Sequence, residues 1–350
     1  MPAKLVFHTG SFKSGSTAIQ SALAHKACKC SSLKIFYPGL GPKEGAEKRR
    51  GQHGPLADTL HPGQEAHGQR HARFSRVAAH IEAAGADVNV ISAEKFEYVD
   101  PRALEQAVNE FLPGYRDALQ IVFYVRPHAE RLLSDYAERV KHGNFGGSLE
   151  DLHAHTKALS QLRQRSYFYH PRLMEWRAVF GERFTVRPMI RSQLFQADAV
   201  ADFFNVILDG APFELSTPPQ SNRSPSLEDL AVVKAFHQSA SARALPPRQR
   251  ERTGVVLIRS LTALNSLPGT RLALHRSLAE DAARTYRADA EALDRDFFGG
   301  PLMQEALERA VDTAAAEPQP AEPAQVLDAA QMRQVSAWAE TLAEILPRAS

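Results

Sequence analysis

The chain has 350 residues, with 42 basic and 40 acidic side chains and a formal net charge of +2, so no overall field draws it to nucleic acid or an anionic membrane, and anion recognition must come from local clusters. The length suits one elaborated domain with a sizeable buried core. Two cysteines, both in the Cys-Lys-Cys run of Cys28 and Cys30, are too few for a disulfide framework or structural zinc, and no apolar run approaches the roughly 20 residues of a membrane-spanning helix.

From Met1 the sequence passes directly into a strand-like run at 4–8, without the apolar stretch and cleavage site of a signal peptide, which predicts a cytoplasmic protein. Short apolar runs at 5–8, 88–92, 120–125 and 184–188 are separated by helix-period sequence. That alternation predicts an α/β fold with a central parallel sheet flanked by helices. Ile19, Ala22 and Leu23 form a helical stripe after the first run, and Leu132, Leu133, Tyr136, Ala137 and Val140 form another after the third, so each helix has one face to lay on the sheet.

Residues 39–76 are rich in Gly, Pro, His and Lys/Arg, including Lys48, Arg49, Arg50, Arg70 and Arg73, and predict a long loop or lid. His67 and His71 could share a helix face, but the glycines and proline nearby argue against that helix, and no metal site is expected. Further on, Leu173, Trp176 and Phe180 mark one core helix, and Val200, Phe203, Phe204, Ile207 and Leu208 another. The expected organisation is an α/β domain over 1–312, a proline-rich linker over 313–325 and an amphipathic helix over 326–350, with Val335, Trp338, Leu342 and Ile345 on one face.

The most informative segment is GSFKSGST at 10–17, between a strand and an amphipathic helix. A glycine-rich turn there points backbone N–H groups at an anion, and the helix N-terminus adds about half a positive charge. A nucleoside-triphosphatase loop carries its lysine after the second glycine; here Ser16 stands there and the lysine has moved forward to Lys13. No aspartate ends the 88–92 or 120–125 run to hold magnesium, which disfavours a kinase. In FYVRPHAERLLS at 123–134, Arg126 ends a buried strand, Pro127 suits a first helical position and Ser134 lies two turns along. A guanidinium with a hydroxyl can hold a phosphate dianion.

Residues 8–20, HTGSFKSGSTAIQ, resemble the 5′-phosphosulfate-binding loop of sulfotransferases that use 3′-phosphoadenosine 5′-phosphosulfate (PAPS), and 123–134 is similar to that family's 3′-phosphate segment. Weaker similarity runs through Tyr169, Trp176, Phe180-Gly181 and Arg191 to NRSPS at 222–226, as in bacterial carbohydrate-type members, so the resemblance spans about residues 4–300. It implies a P-loop-like sheet with helices on both faces and a helical C-terminal elaboration. It also implies PAPS as co-substrate without a metal, bound through Gly10, Lys13, Ser14, Gly15, Ser16, Thr17, Arg126 and Ser134. The Arg-Lys-Gly-rich cofactor loop of the animal cytosolic enzymes is absent, and Arg223 is the candidate substitute. Ser226 with Asp229 forms a capping box, so the bland role of that segment is helix initiation.

In sulfuryl transfer an acceptor attacks sulfur in line while charge grows on the oxygen bridging to the 5′-phosphate. Lys13 is the cation expected to meet that charge. Two bases compete for the acceptor's proton: Glu94, after the 88–92 strand, and His53 on the expected lid. Glu94-Lys95 resembles a Glu-Lys pair of glycan sulfotransferases, in which Lys95 is a further candidate. The expected acceptor is a glycan or small molecule. Two other classes stay open, a P-loop small-molecule kinase and a non-catalytic binder of adenosine 3′,5′-bisphosphate.

Overall fold

The computed structural model describes residues 3–10, 15–39, 53–61, 65–159, 167–216, 224–264 and 269–346. The chain forms two compact units, each discontinuous in sequence: Met1–Pro127 with Phe168–Ser221 and Ala292–Gly300, and His128–Tyr167 with Asn222–Glu291 and Pro301–Ser350.

The first unit holds the strands: β1 (Lys4–Gly10), β2 (Cys28–Lys29), β3 (Ile35–Phe36), β4 (Val88–Ser92), β5 (Leu119–Val125), β6 (Phe184–Pro188) and β7 (Glu214–Leu215). Five of them make a parallel sheet in the order β3-β4-β1-β5-β6, while β2 and β7 pair antiparallel on their own. All four strands read from apolar runs are present, and the added ones are two residues long, too short to show a period. The central strands are continuous hydrophobic runs because both their faces are covered. On one face Val6, Val88, Val90, Val122 and Tyr124 pack with Ile19, Ala22 and Leu23 of the Ser16–Ala24 helix and with Val200, Phe203, Phe204 and Ile207 of the Ala199–Ile207 helix. Residues of the other parity point to the opposite face. There Phe7 meets Phe96 edge-on at 5.3 Å, and Phe123 meets Phe184, which stacks on Trp176 of the His170–Phe180 helix. The Pro101–Phe111 helix packs against that helix.

Much of the segment expected as a loop is helical. Gly54–Asp58 and Arg70–Ala84 are α-helices, with a 3-10 turn at Glu65–Gln69 between them. Phe74, Val77 and Ile81, fully buried at helical spacing, drive the longer helix, and Gly85 in the left-handed region (φ 53°) ends it. His67 and His71 have structural partners there: His67 Nδ1–H donates to the Thr59 carbonyl (2.9 Å), and His71 packs edge-on against Phe111 (5.4 Å). Residues 40–52 and 62–64 of that segment lie outside the described residues.

Among the described residues, the second unit's regular elements are helices, chiefly His128–His142, Leu149–Ala158, Leu227–Gln238, Pro247–Leu264, Arg276–Leu293 (all but its last two residues), Leu302–Asp312 and Ala329–Ile345. Ser226 and Asp229 form the expected capping box. The proline-rich stretch is held to this unit: Ala315 bridges to His275, and buried Lys234 donates to the carbonyls of Gly147 (3.3 Å) and Ala321 (2.6 Å) and to Glu322 Oε1 (3.2 Å). The final helix packs on Leu227–Gln238 and Ala240–Arg243 through Val335 and Ala339. Trp338 and Ile345, expected on that face, are exposed, since the stripe that packs follows 335 and 339.

Candidate functional site

In a parallel α/β sheet the carboxyl ends of the strands open onto the ligand crevice, above all where the chain leaves neighbouring strands by opposite faces. β1 and β4 meet that condition: the helix after β1 lies on the Val6 face, and the Pro101–Phe111 helix after β4 belongs to the Phe7 face. The register aligns three loops at this edge. Gly10, the last residue of β1, stands opposite Tyr124, so Arg126 follows two residues on; His8 stands opposite Ser92, so Glu94 follows two residues on.

The loop after β1 ends at Gly15, whose φ of 83° lies in the left-handed region. A Cβ there would stand 2.8 Å from Met189 Cε and 3.2 Å from Ala199 Cβ, so both backbone angle and space demand glycine. The Ser16–Ala24 helix that follows has no side-chain N-cap hydrogen bond. Two hydroxyls at this corner, Thr9 Oγ1 and Ser16 Oγ, are buried without a hydrogen-bond partner. An orphaned buried hydroxyl costs about 1–3 kcal/mol. A phosphate oxygen is the acceptor such donors lack, so the residues present fit an anion. Lys13 and Ser14, the centre of the expected loop, lie outside the described residues, as does Arg223.

At the end of β4 lies a buried polar network centred on Ser92. His8 Nδ1 is hydrogen-bonded to Ser92 Oγ (2.7 Å), Gln20 Nε2 donates to the same oxygen (3.2 Å), and the Tyr37 hydroxyl also reaches Ser92. Burial without a charge partner drops His8 to about 3, so the ring is neutral.

His53 belongs to this network rather than to an open lid. It is fully buried; its Nδ1 accepts the Ser92 N–H (3.1 Å) and its Nε2–H donates to the Pro38 carbonyl (2.9 Å), which fixes the neutral tautomer. Burial lowers its pKa to about 4. Both ring nitrogens are therefore engaged, and the edge of the Tyr37 ring lies against it at 4.8 Å. Glu94 opens the 3-10 turn Glu94–Tyr98 and is half-buried. Lys95 points to Asp58, both of whose oxygens lie 2.8 Å from its ammonium. Sequence reasoning missed Asp58, because a pair 37 residues apart leaves no local pattern.

Arg126, half-buried, follows β5, and its carbonyl accepts the Tyr169 hydroxyl (2.8 Å). Ser134 sits on the His128–His142 helix and belongs to the second unit. At the edge of the sheet where β5 and β6 begin, a cleft of about 440 Å³ is lined by Glu105, Asn109, Arg116, Asp117 and Arg183. Its guanidinium groups are occupied with Asn109 Oδ1 and the Arg116 carbonyl.

The chain matches no family model, and no curated protein matches it. Among solved structures, a crystal structure of a sulfotransferase from Alicyclobacillus acidocaldarius is similar at 16% identity, covering 88% of this chain and 100% of that one, with a TM-score of 0.44. A likeness that distant says nothing of what this chain binds.

Proposed function

We propose that the protein is a sulfotransferase that moves the sulfuryl group of PAPS to a hydroxyl or amine acceptor of carbohydrate or small-molecule type. The observation that carries this reading is the corner between β1 and the Ser16–Ala24 helix: a left-handed Gly15 that admits no side chain, an uncapped helix start and the buried, unpartnered Ser16 hydroxyl. Its sequence places lysine at 13 rather than after the second glycine. In this reading the N–H groups and hydroxyls of 14–17 hold the 5′-phosphate. Lys13 meets the charge that grows on its bridging oxygen as the bond from sulfur breaks and the acceptor oxygen or nitrogen forms its own. Arg126 takes the 3′-phosphate, and the sequence spacing adds Ser134. Glu94 receives the acceptor's proton. The assignment favours Glu94 over His53 because both His53 nitrogens are spent on backbone partners, which a proton transfer would have to break.

Adenosine 3′,5′-bisphosphate without magnesium should raise the melting temperature more than Mg-ATP does. Lys13→Ala should still bind the bisphosphate while losing on the order of 100-fold or more in turnover with radiolabelled PAPS and cell-extract acceptors. Greater stabilisation by Mg-ATP points to a kinase, and bisphosphate binding without any transfer in the wild type points to a binding protein.

A further inference from the structure

The two loops that carry Arg126 and Glu94 come from strands on either side of β1 and share no hydrogen-bond ladder. They are nevertheless joined through the start of the His170–Phe180 helix. The Tyr169 hydroxyl donates to the carbonyl of Arg126 (2.8 Å). Three residues on, Arg172 Nη2 donates to Glu97 Oε1 (2.6 Å) in the Glu94–Tyr98 turn. The two contacts are themselves in contact, since the Arg172 guanidinium lies over the rings of both Tyr98 (5.6 Å) and Tyr169 (5.9 Å). Glu97 is fully buried and Arg172 nearly so, with side-chain exposures of 0% and 6%. Arg172 Nε and Nη1 make no hydrogen bond, so the guanidinium is held by one charged bond and two aromatic faces.

We infer that Tyr169, Arg172 and Glu97 form a brace that sets the position of Arg126 relative to Glu94, making Tyr169 and Arg172 positioning residues for transfer. This rests on the reading of Arg126 as the 3′-phosphate ligand and of Glu94 as the base. The arrangement has the properties a brace needs. A buried Arg–carboxylate bond has one geometry, because moving either partner leaves a charge unpaired in a dry site. A phenol hydroxyl on a backbone carbonyl fixes the main chain of Arg126 without touching its guanidinium. Displacing one loop therefore shifts the ring of Tyr169 or Tyr98, and with it the other loop.

The test compares adenosine 3′,5′-bisphosphate with adenosine 5′-monophosphate by calorimetry on the full chain. Tyr169→Phe removes one oxygen and keeps the ring. It should weaken the bisphosphate several-fold and leave the monophosphate unchanged. Arg172→Gln should do the same, and the double variant should be no worse than the poorer single one, as for two links of one chain. Arg172→Lys, which keeps the charge but not the planar stack, should recover only part of the loss. Equal weakening of both nucleotides, or effects that simply add, would overturn the brace. If wild type itself does not distinguish the two nucleotides, the donor reading fails. Hydrogen exchange then decides the brace alone: faster exchange at 94–98 in Tyr169→Phe supports it, and unchanged exchange there sinks it.

Discussion

At the scale of single residues, Gly15 is constrained by both backbone conformation and space. Its φ of 83° costs an L-residue about 1–3 kcal/mol, and the contacts at 2.8 and 3.2 Å add a clash with Met189 and Ala199. Gly15→Ala should therefore lower the melting temperature, and it should weaken the bisphosphate beyond what the stability loss explains. Met189→Ala in the same chain relieves the nearer clash but not the backbone angle, so it should restore only part of the stability. Full recovery would show that space alone, not backbone conformation, requires glycine. The turn at Gly15 was legible in the sequence because a strand-like run, a glycine and a helical stripe follow one another along the chain. His53 was not: its residue type suits a base, but burial and two backbone partners depend on Pro38 and on Ser92, 39 positions away. Glu97 and Arg172 are likewise 75 positions apart and carry no sign of each other in the chain.

Whole elements divide along the same line. The runs at 88–92 and 184–188 match β4 and β6 residue for residue; β4, buried at every position, shows itself as apolar sequence because both its faces are covered, while β6 is a half-buried edge strand. The Arg70–Ala84 helix was hidden because its stripe of Phe74, Val77 and Ile81 is narrow and the residues around it are polar, so composition outweighed periodicity. Proline-rich sequence at 313–325 is compatible with a stiff spacer, and it is tertiary contacts, the Ala315 bridge and those of Lys234 among them, that tie it down. Lys234→Met keeps the volume while removing a charged donor from the Gly147 and Ala321 carbonyls and from Glu322. It should cost about 2 kcal/mol in urea unfolding. Limited proteolysis should then cut within 313–325 ahead of other sites. An unchanged digestion pattern would mean that the backbone bridge at Ala315 suffices to hold the stretch.

The molecule as a whole should be acid-sensitive well above the carboxylate range. His8, at about 3, and His53, at about 4, are both depressed from 6.5 by burial, so between roughly pH 6.5 and 4 the unfolded chain binds protons that the folded chain refuses. Stability is then complete above 6.5 and falls with pH, by up to about 1.4 kcal/mol per pH unit for each group. His153 and His237 are lowered by burial too and act in the same sense, while His142, raised by Glu138, acts against it. Urea midpoints taken from pH 7 to pH 5 should fall in wild type and fall less steeply in His8→Gln and His53→Gln; slopes identical to wild type would remove these histidines from the account. A different consequence follows from the way the two units share the chain. The six strands β1 to β6 have all been synthesised once residue 188 is made, but the first unit still lacks Ala292–Gly300, and the second, begun at His128, is waiting for its Ala329–Ile345 helix. The first cannot finish before residue 300 is made, nor the second before residue 345, so the growing chain carries uncovered apolar faces over that span, when aggregation competes with folding. For the same reason neither unit can be lifted out of the gene as a continuous cassette.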